Sequence, residues 1–206
     1  IDVIKNETGL KFNIINSDEE ARLTLLAIKY ALKRESVQSN KFILLDIGGG
    51  STELIINNNN NIHIKSFDFG IVTLEQSHKS IDDLTIDLYE KSNYIKKYLD
   101  NLAINFDDFE FIATAGTPTT IAAIKHGLNF SEYDRNIVNG TKINRKDLNH
   151  CMNLLDKSDN SSLEKIFGTN KKAYIQVGIL IYETIFKTLN KSVSLVFDDG
   201  LREGVA

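Results

Sequence analysis

The apolar run Phe42-Ile43-Leu44-Leu45 stops on a carboxylate, Asp46, and after one more residue the chain reads Gly48-Gly49-Gly50-Ser51-Thr52-Glu53. No other stretch constrains the fold as strongly. Consecutive large apolar residues bounded by a turn signal read as a strand buried on both faces. Three glycines do not continue a strand. They mark a tight turn whose backbone N–H groups can approach a phosphate with no Cβ in the way. Ser51 and Thr52 can add hydroxyl donors. Asp46 and Glu53 flank the turn and could hold Mg²⁺ directly or through its waters. Phosphate and carboxylates repel one another, so the arrangement itself calls for a cation. The plain alternative is a glycine hairpin carrying two solvated acids. An acid at a strand end, three glycines, two hydroxyls and a second acid together favour the functional reading.

Two further strand ends resemble the first. Residues 111–120, Phe-Ile-Ala-Thr-Ala-Gly-Thr-Pro-Thr-Thr, read as a strand, a small-residue turn and a helix start, with Pro118 suited to the first helical turn. A helix N-terminus offers free N–H groups and the positive end of its dipole, which suits phosphate at Gly116 and Thr117. An ordinary βα turn would look the same, and the first glycine loop tips the balance. Residues 196–204 form the third turn. There Asp198 could cap or face a ligand, and Arg202 could bind phosphate or pair with an acid.

The remaining elements follow from periodicity. Residues 10–15 alternate loosely, as in a short strand. Ser17 reads as a helix N-cap with Glu20 completing a capping box, and Ala21, Leu25, Ile28 and Leu32 form an apolar stripe on a helix ending near Arg34. Strands over 42–45, 52–56 and 62–67 form a meander. A helix over 82–102, a strand over 109–114, a helix from Thr119, a helix over 145–155 capped by Asn144, a helix over 171–189 and a strand over 193–197 complete the chain. The order predicts an α/β fold, a mixed five-stranded sheet with helices on it over residues 41–206. The helix over Ser17–Arg34 is expected to stand apart from that core.

The chain has 206 residues and a net charge of -4, so no basic surface is implied and a nucleic-acid duplex is not an expected partner. Cys151 is the single cysteine, which excludes an intrachain disulfide and fits a cytoplasmic location. The 4 histidines are scattered, so structural zinc is not expected. No apolar run approaches the ~18 residues of a membrane span. The chain opens on Ile1 with no methionine, and reads as an excised piece of a longer protein.

The motifs together resemble the exopolyphosphatase / guanosine pentaphosphate phosphohydrolase family. Its acid-x-Gly-Gly-Gly-Ser-Thr-Glu-Leu string is similar to residues 46–54, its Glu-Glu-Ala-Arg-Leu helix start to residues 19–23, and its Gly-Thr-x-Thr-Thr element to residues 116–120. Its Tyr-Asp and Val-x-Gly segments match Tyr133-Asp134 and residues 138–140, and its Asp-x-x-Leu-Arg-Glu-Gly ending matches residues 198–204. The resemblance implies an RNase H-like lobe of the sugar kinase–actin superfamily. Residues 1–40 would then be the tail of a first lobe and its crossover helix, and residues 41–206 the second, phosphate-binding lobe. It implies that Glu20 orients or deprotonates the attacking water, that Asp46 and Glu53 are metal acids, and that Gly48, Gly49, Gly50, Ser51, Gly116 and Thr117 bind phosphate. From residues alone Glu20 reads as a cap and dipole acid; only the resemblance lifts it further.

The implied activity is Mg²⁺-assisted attack of water on the terminal phosphate of polyphosphate or the 5′ phosphate of guanosine pentaphosphate. For the full-length protein a homodimer stays open. The family's first-lobe acid-Gly-Ser loop and a phosphate-contacting arginine have no counterpart here, so this chain alone is expected to be inactive. Asp199 stands where the family often has glycine, leaving the shape of that turn open. Two other readings compete: a non-catalytic nucleotide or phosphate-binding module, and an ATP-using kinase of the same superfamily. Asp68-Phe69-Gly70 is similar to a protein-kinase metal motif, but neither the lysine-bearing glycine loop nor the catalytic-loop HRD accompanies it. It reads as a strand end, with Gly70 relieving a turn.

Overall fold

The computed structural model describes residues 2–11, 14–59, 61–169 and 171–206. Helices α1 (Asp2–Thr8) and α2 (Ser17–Arg34) lead into the meander β1 (Lys41–Ile47), β2 (Thr52–Asn58) and β3 (Asn61–Phe67). Helices α3 (Ile71–Ser77) and α4 (Ile81–Asn101) follow, then β4 (Glu110–Thr114) and α5 (Gly116–Lys125). A 3-10 turn (Phe130–Glu132), α6 (Arg135–Val138), β5 (Thr141–Asn144), α7 (Arg145–Lys157), α8 (Asn160–Phe167), α9 (Lys172–Thr188), β6 (Val193–Val196) and α10 (Leu201–Val205) complete the chain.

Among the described residues the strands form one 6-stranded sheet, ordered β3-β2-β1-β4-β6-β5. The three central strands β1, β4 and β6 run parallel, and β2, β3 and β5 are antiparallel to their neighbours. Strand β1 is apolar without alternation because both of its faces are covered. Ile43, Leu45 and Ile47 enter the larger core with residues of α4, α5, α7 and α9. Phe42 and Leu44 point the other way, into a second core with Ile55, Ile112 and Phe197.

That second core is closed by α2, whose Ala21, Leu25, Ile28, Ala31 and Leu32 lie in it. The expectation of a helix standing apart is therefore corrected. Its apolar stripe has a partner, the even-numbered face of β1, and burying each large aliphatic side chain there contributes about 1.5–3 kcal/mol. The cap is also displaced by one residue. Asn16 Oδ1 accepts the Glu19 N–H at 2.9 Å, and Asp18, Glu19 and Glu20 place negative charge in the first turn. The short strand expected over residues 10–15 is not formed at 10, 11, 14 and 15, where the chain is exposed; Phe12 and Asn13 lie outside the described residues.

The sheet has one strand more than expected. Strand β5 is 4 residues long, too short for alternation to register, and it is held by pairing with β6 from Thr141↔Val196 to Asn144↔Val193. At α7 the local signal is obeyed. Asn144 caps α7 in a capping box with Asp147, and Cys151 is buried on that helix.

Candidate functional site

Because β1, β4 and β6 are parallel, the loops that follow them leave the same edge of the sheet. The pairings Asp46↔Thr114 and Ala113↔Val196 set the three exits side by side. Asp46, Thr114, Ala115 and Asp198 line one cavity of about 210 Å³ at this edge. The strand-end loops picked out from sequence therefore converge.

The first loop is a hairpin closed by the Gly48 N–H donating to the Ser51 carbonyl at 2.9 Å. Its carbonyls are held from behind: Ile71 N–H donates to Gly48 O at 3.0 Å, and Val72 and Thr73 N–H donate to Gly49 O at 2.8 and 3.2 Å. These are the first amides of α3. Gly70 makes the approach feasible, since a Cβ there would stand 2.6 Å from Gly48 O and 2.7 Å from Gly49 C. Gly70 thus serves close packing; its φ of -151° requires no turn relief. Gly49 and Gly50 are exposed, and their N–H groups carry no hydrogen bond among the described residues. Ser51 is half-buried. The Thr52 hydroxyl, expected as a donor to phosphate, is instead committed to Phe69 O at 2.8 Å inside the core.

Asp46 and Glu53 are direct partners across β1 and β2, so their side chains share one face. Glu53 Oε1 accepts from the Ser66 hydroxyl at 2.7 Å. Burial pushes the Asp46 carboxyl up to about 7, and the charges of Glu53 and Glu20 add to the rise. Glu20, exposed in the first turn of α2, is therefore within electrostatic reach of the pair. Among the described residues no group of three or more His, Cys, Asp or Glu could hold a metal ion by itself. The donor chemistry nonetheless fits Mg²⁺, which binds through one or two carboxylates plus waters and substrate phosphates. A cation would also relieve the strain recorded in Asp46.

The second loop turns at Ala115, whose φ of 73° and ψ of -175° lie in a region favoured by glycine; such a residue costs about 1–3 kcal/mol. Thr119 secures the turn, its hydroxyl donating to Ala115 O at 2.9 Å. Gly116 is exposed, and the Gly116 and Thr117 N–H groups are unpaired at the start of α5. The Thr117 side chain lies against α9, where a Cβ on Gly178 would come within 2.2 Å of its Oγ1. Its backbone is thus the part left to meet a ligand. Beside it, Gly116, Thr117, Phe167 and Tyr174 help line an apolar cavity of about 190 Å³.

The third loop carries residues that sequence reasoning left undecided or missed. Asp199 is 3% exposed. It accepts two bonds from Arg34, at 3.1 and 2.8 Å, and one from Asn139 at 3.2 Å, and it pairs with Arg135 at 3.1 Å. Its carbonyl accepts from the Thr114 hydroxyl at 2.8 Å, tying the third loop to the end of β4. Asp198 faces the shared cavity, with its N–H donating to Asn139 Oδ1 at 2.6 Å. Burial, then a hydrogen bond to Asp198, raises the Tyr133 phenol. The sequence signals for this network were the resemblances over Tyr133-Asp134, residues 138–140 and residues 198–204, none of which gave its pairings.

The model of the Ppx/GppA phosphatase family matches residues 1–206. This chain belongs to that family. It is 26% identical over 203 residues to the guanosine-5′-triphosphate,3′-diphosphate pyrophosphatase of Pseudoalteromonas atlantica, covering 94% of this chain and 37% of that protein. It is 25% identical over 201 residues to the bifunctional 3-dehydroquinate synthase/phosphatase of Fusobacterium nucleatum, covering 94% of this chain and 30% of that protein. The crystal structure of an exopolyphosphatase from Cytophaga hutchinsonii superposes with a TM-score of 0.76 at 26% identity, covering 100% of this chain and 67% of that one. This Ppx/GppA chain thus spans about a third of the length of the curated relatives it matches. The sheet and its helical layers are those of a Ppx/GppA lobe in the actin-like superfamily. No described helix is long and apolar enough to cross a membrane.

Proposed function

We propose that this chain is the second lobe of a phosphohydrolase that removes the terminal phosphate of inorganic polyphosphate or the 5′ phosphate of guanosine pentaphosphate. In this reading residues 1–40 bring the chain in from a first lobe, and α2 both makes the crossing and covers the sheet. The observation that carries the proposal is the pairing of Asp46 with Glu53, with the charge of Glu20 acting on Asp46, at the edge where the glycine loops open. A carboxyl whose proton affinity is raised first by burial and then by two neighbouring acids is poorly placed for stability and well placed for chemistry.

The free N–H groups of Gly49, Gly50 and Ser51 receive phosphate oxygens on one side, and those of Gly116 and Thr117 on the other. Asp46 and Glu53 would hold Mg²⁺, which supplies positive charge to the phosphate chain when bound. Glu20 orients a water and takes its proton as the water oxygen bonds to the terminal phosphorus and the bridging P–O bond breaks. The shortened phosphate chain leaves with the electron pair of that bond.

One observation favours the guanosine compound over the bare polymer. The apolar cavity with Phe167 and Tyr174 adjoins Gly116, and a polymer of phosphate alone has nothing to fill it. Steady-state kinetics of Glu20→Ala in the intact protein test the proposal. Loss of a positioned base is expected to lower kcat by ~10²–10⁴ with KM little changed. An unchanged kcat removes Glu20 from the mechanism.

A further inference from the structure

Arginines in this fold are almost all committed. Arg22 pairs with Glu19, Arg34 with Asp199, Arg135 with Asp199 and Glu203, and Arg145 with Glu183. Arg202 is the exception: it is exposed, and among the described residues it makes no hydrogen bond or ion pair. It lies on the wall of the cavity shared with Asp46, Ala115 and Asp198, and it is the one cationic side chain there.

The backbone that carries Arg202 is fixed on both sides. Glu203 Oε2 accepts the Gly200 N–H at 3.0 Å, and Glu203 Oε1 takes Arg135 at 3.3 Å. Gly204 sits so close to α2 that a Cβ would lie 2.1 Å from Leu23 O. A guanidinium without a partner on a fixed base, on the wall of a cavity at the edge where the three strand-end loops leave the sheet, is open to an anionic ligand. Its planar fork matches two phosphate oxygens better than it matches water.

We propose that Arg202 is a phosphate ligand of this site, gripping the substrate's phosphate chain from the β6 side of the cavity. The inference rests on the phosphohydrolase reading for its substrate and on the free guanidinium for its chemistry.

Calorimetric titration of the intact protein with pyrophosphate in the presence of Mg²⁺ tests it without requiring turnover. Arg202→Gln is expected to weaken pyrophosphate binding about tenfold to a hundredfold. Arg202→Lys should recover part of the loss, because it keeps the charge and loses the fork. Both variants should melt with the wild type, as expected for an exposed residue without partners. Equal affinity of the wild type and Arg202→Gln overturns the proposal. So does a wild type that fails to bind pyrophosphate, or an Arg202→Gln protein that melts early, which would make the residue structural. If the wild type hydrolyses neither substrate while Arg202→Gln still loses pyrophosphate, the phosphohydrolase reading fails and Arg202 stands. Hydrolysis by the wild type with normal binding by Arg202→Gln gives the reverse.

Discussion

Asp46 is the penultimate residue of β1 and Asp199 follows β6 at the same edge of one sheet, yet the charges around them differ. Asp199 is almost wholly buried and is met by Arg34, Arg135 and Asn139. Asp46 keeps contact with the cavity, and after burial the charges that act on it most are those of two acids, Glu53 and Glu20, with Arg202 on the same cavity wall. A buried carboxylate surrounded by guanidinium groups is spent on structure, and removing it leaves charges without partners. A buried carboxylate among acids is an unmet demand for positive charge, and ligands meet such demands. The fold therefore separates the two tasks at one edge of the sheet: the β6 loop is locked by Arg34, Arg135 and Asn139 reaching it from other elements, and in the proposed function the β1 loop receives a cation and an anion together.

If Asp46 waits for groups outside this chain, activity should collapse when they are withheld. Residues 1–206 alone are expected to fold and to bind Mg²⁺ or phosphate weakly. They should release phosphate from polyphosphate and guanosine pentaphosphate at least ~10²–10³ more slowly than the intact protein, because each lost preorganised donor costs that factor. Side-by-side phosphate-release assays check this, and comparable rates would mean that the site is complete within this chain.

Asp46 also predicts a pH dependence. Its folded value is raised from 3.8 to about 7, so the native state holds the proton more tightly than the unfolded chain does. The stability this confers is fully present below about pH 4 and is lost as pH rises through about 7. It amounts to at most about 4 kcal/mol. Urea denaturation across that range should show the wild type losing ground to Asp46→Asn as pH rises, with Mg²⁺ narrowing the gap at pH 8. A gap that does not change with pH would break the contrast between the two acids.

Asp199→Ala should destabilise by about 2–3 kcal/mol, below the 3–5 kcal/mol of a fully buried pair, because the Arg34 and Arg135 side chains are 49% and 39% exposed. A loss under about 0.5 kcal/mol, the usual range for surface changes, would deny the β6 loop its locking role. Ala115 sits between the two loops, and Ala115→Gly should raise stability by roughly 1 kcal/mol as the strained turn relaxes, net of the greater freedom of glycine in the unfolded chain. Thermal melting resolves a change of this size.

The sequence made the two regions unequally legible. The β1 loop could be read because its elements are contiguous: an apolar strand, an acid, three glycines and a second acid within residues 42–53. The Asp199 network could not, because Arg34 lies 165 residues away and Arg135 reaches the same loop from another element. Pairs so distant in sequence leave no periodicity. The same holds for α2, whose stripe was visible while its partner, the even-numbered face of β1, was not. Short β5 escaped for a local reason, since four residues cannot establish alternation. The strain at Ala115 left no trace in the sequence, because alanine signals nothing about φ.

The grip of α3 on the first glycine loop has a consequence for how that loop meets solvent. A trans peptide plane points its C=O and the following N–H in opposite directions. Ile71, Val72 and Thr73 draw the Gly48 and Gly49 carbonyls toward α3, and the same two planes then turn the N–H groups of Gly49 and Gly50 away from it. The loop is a pair of levers with their inner ends tied down. In hydrogen exchange the Ile71 and Val72 amides should persist while those of Gly49 and Gly50 are lost quickly, and the phosphate of the proposed reaction would find two donors already aimed.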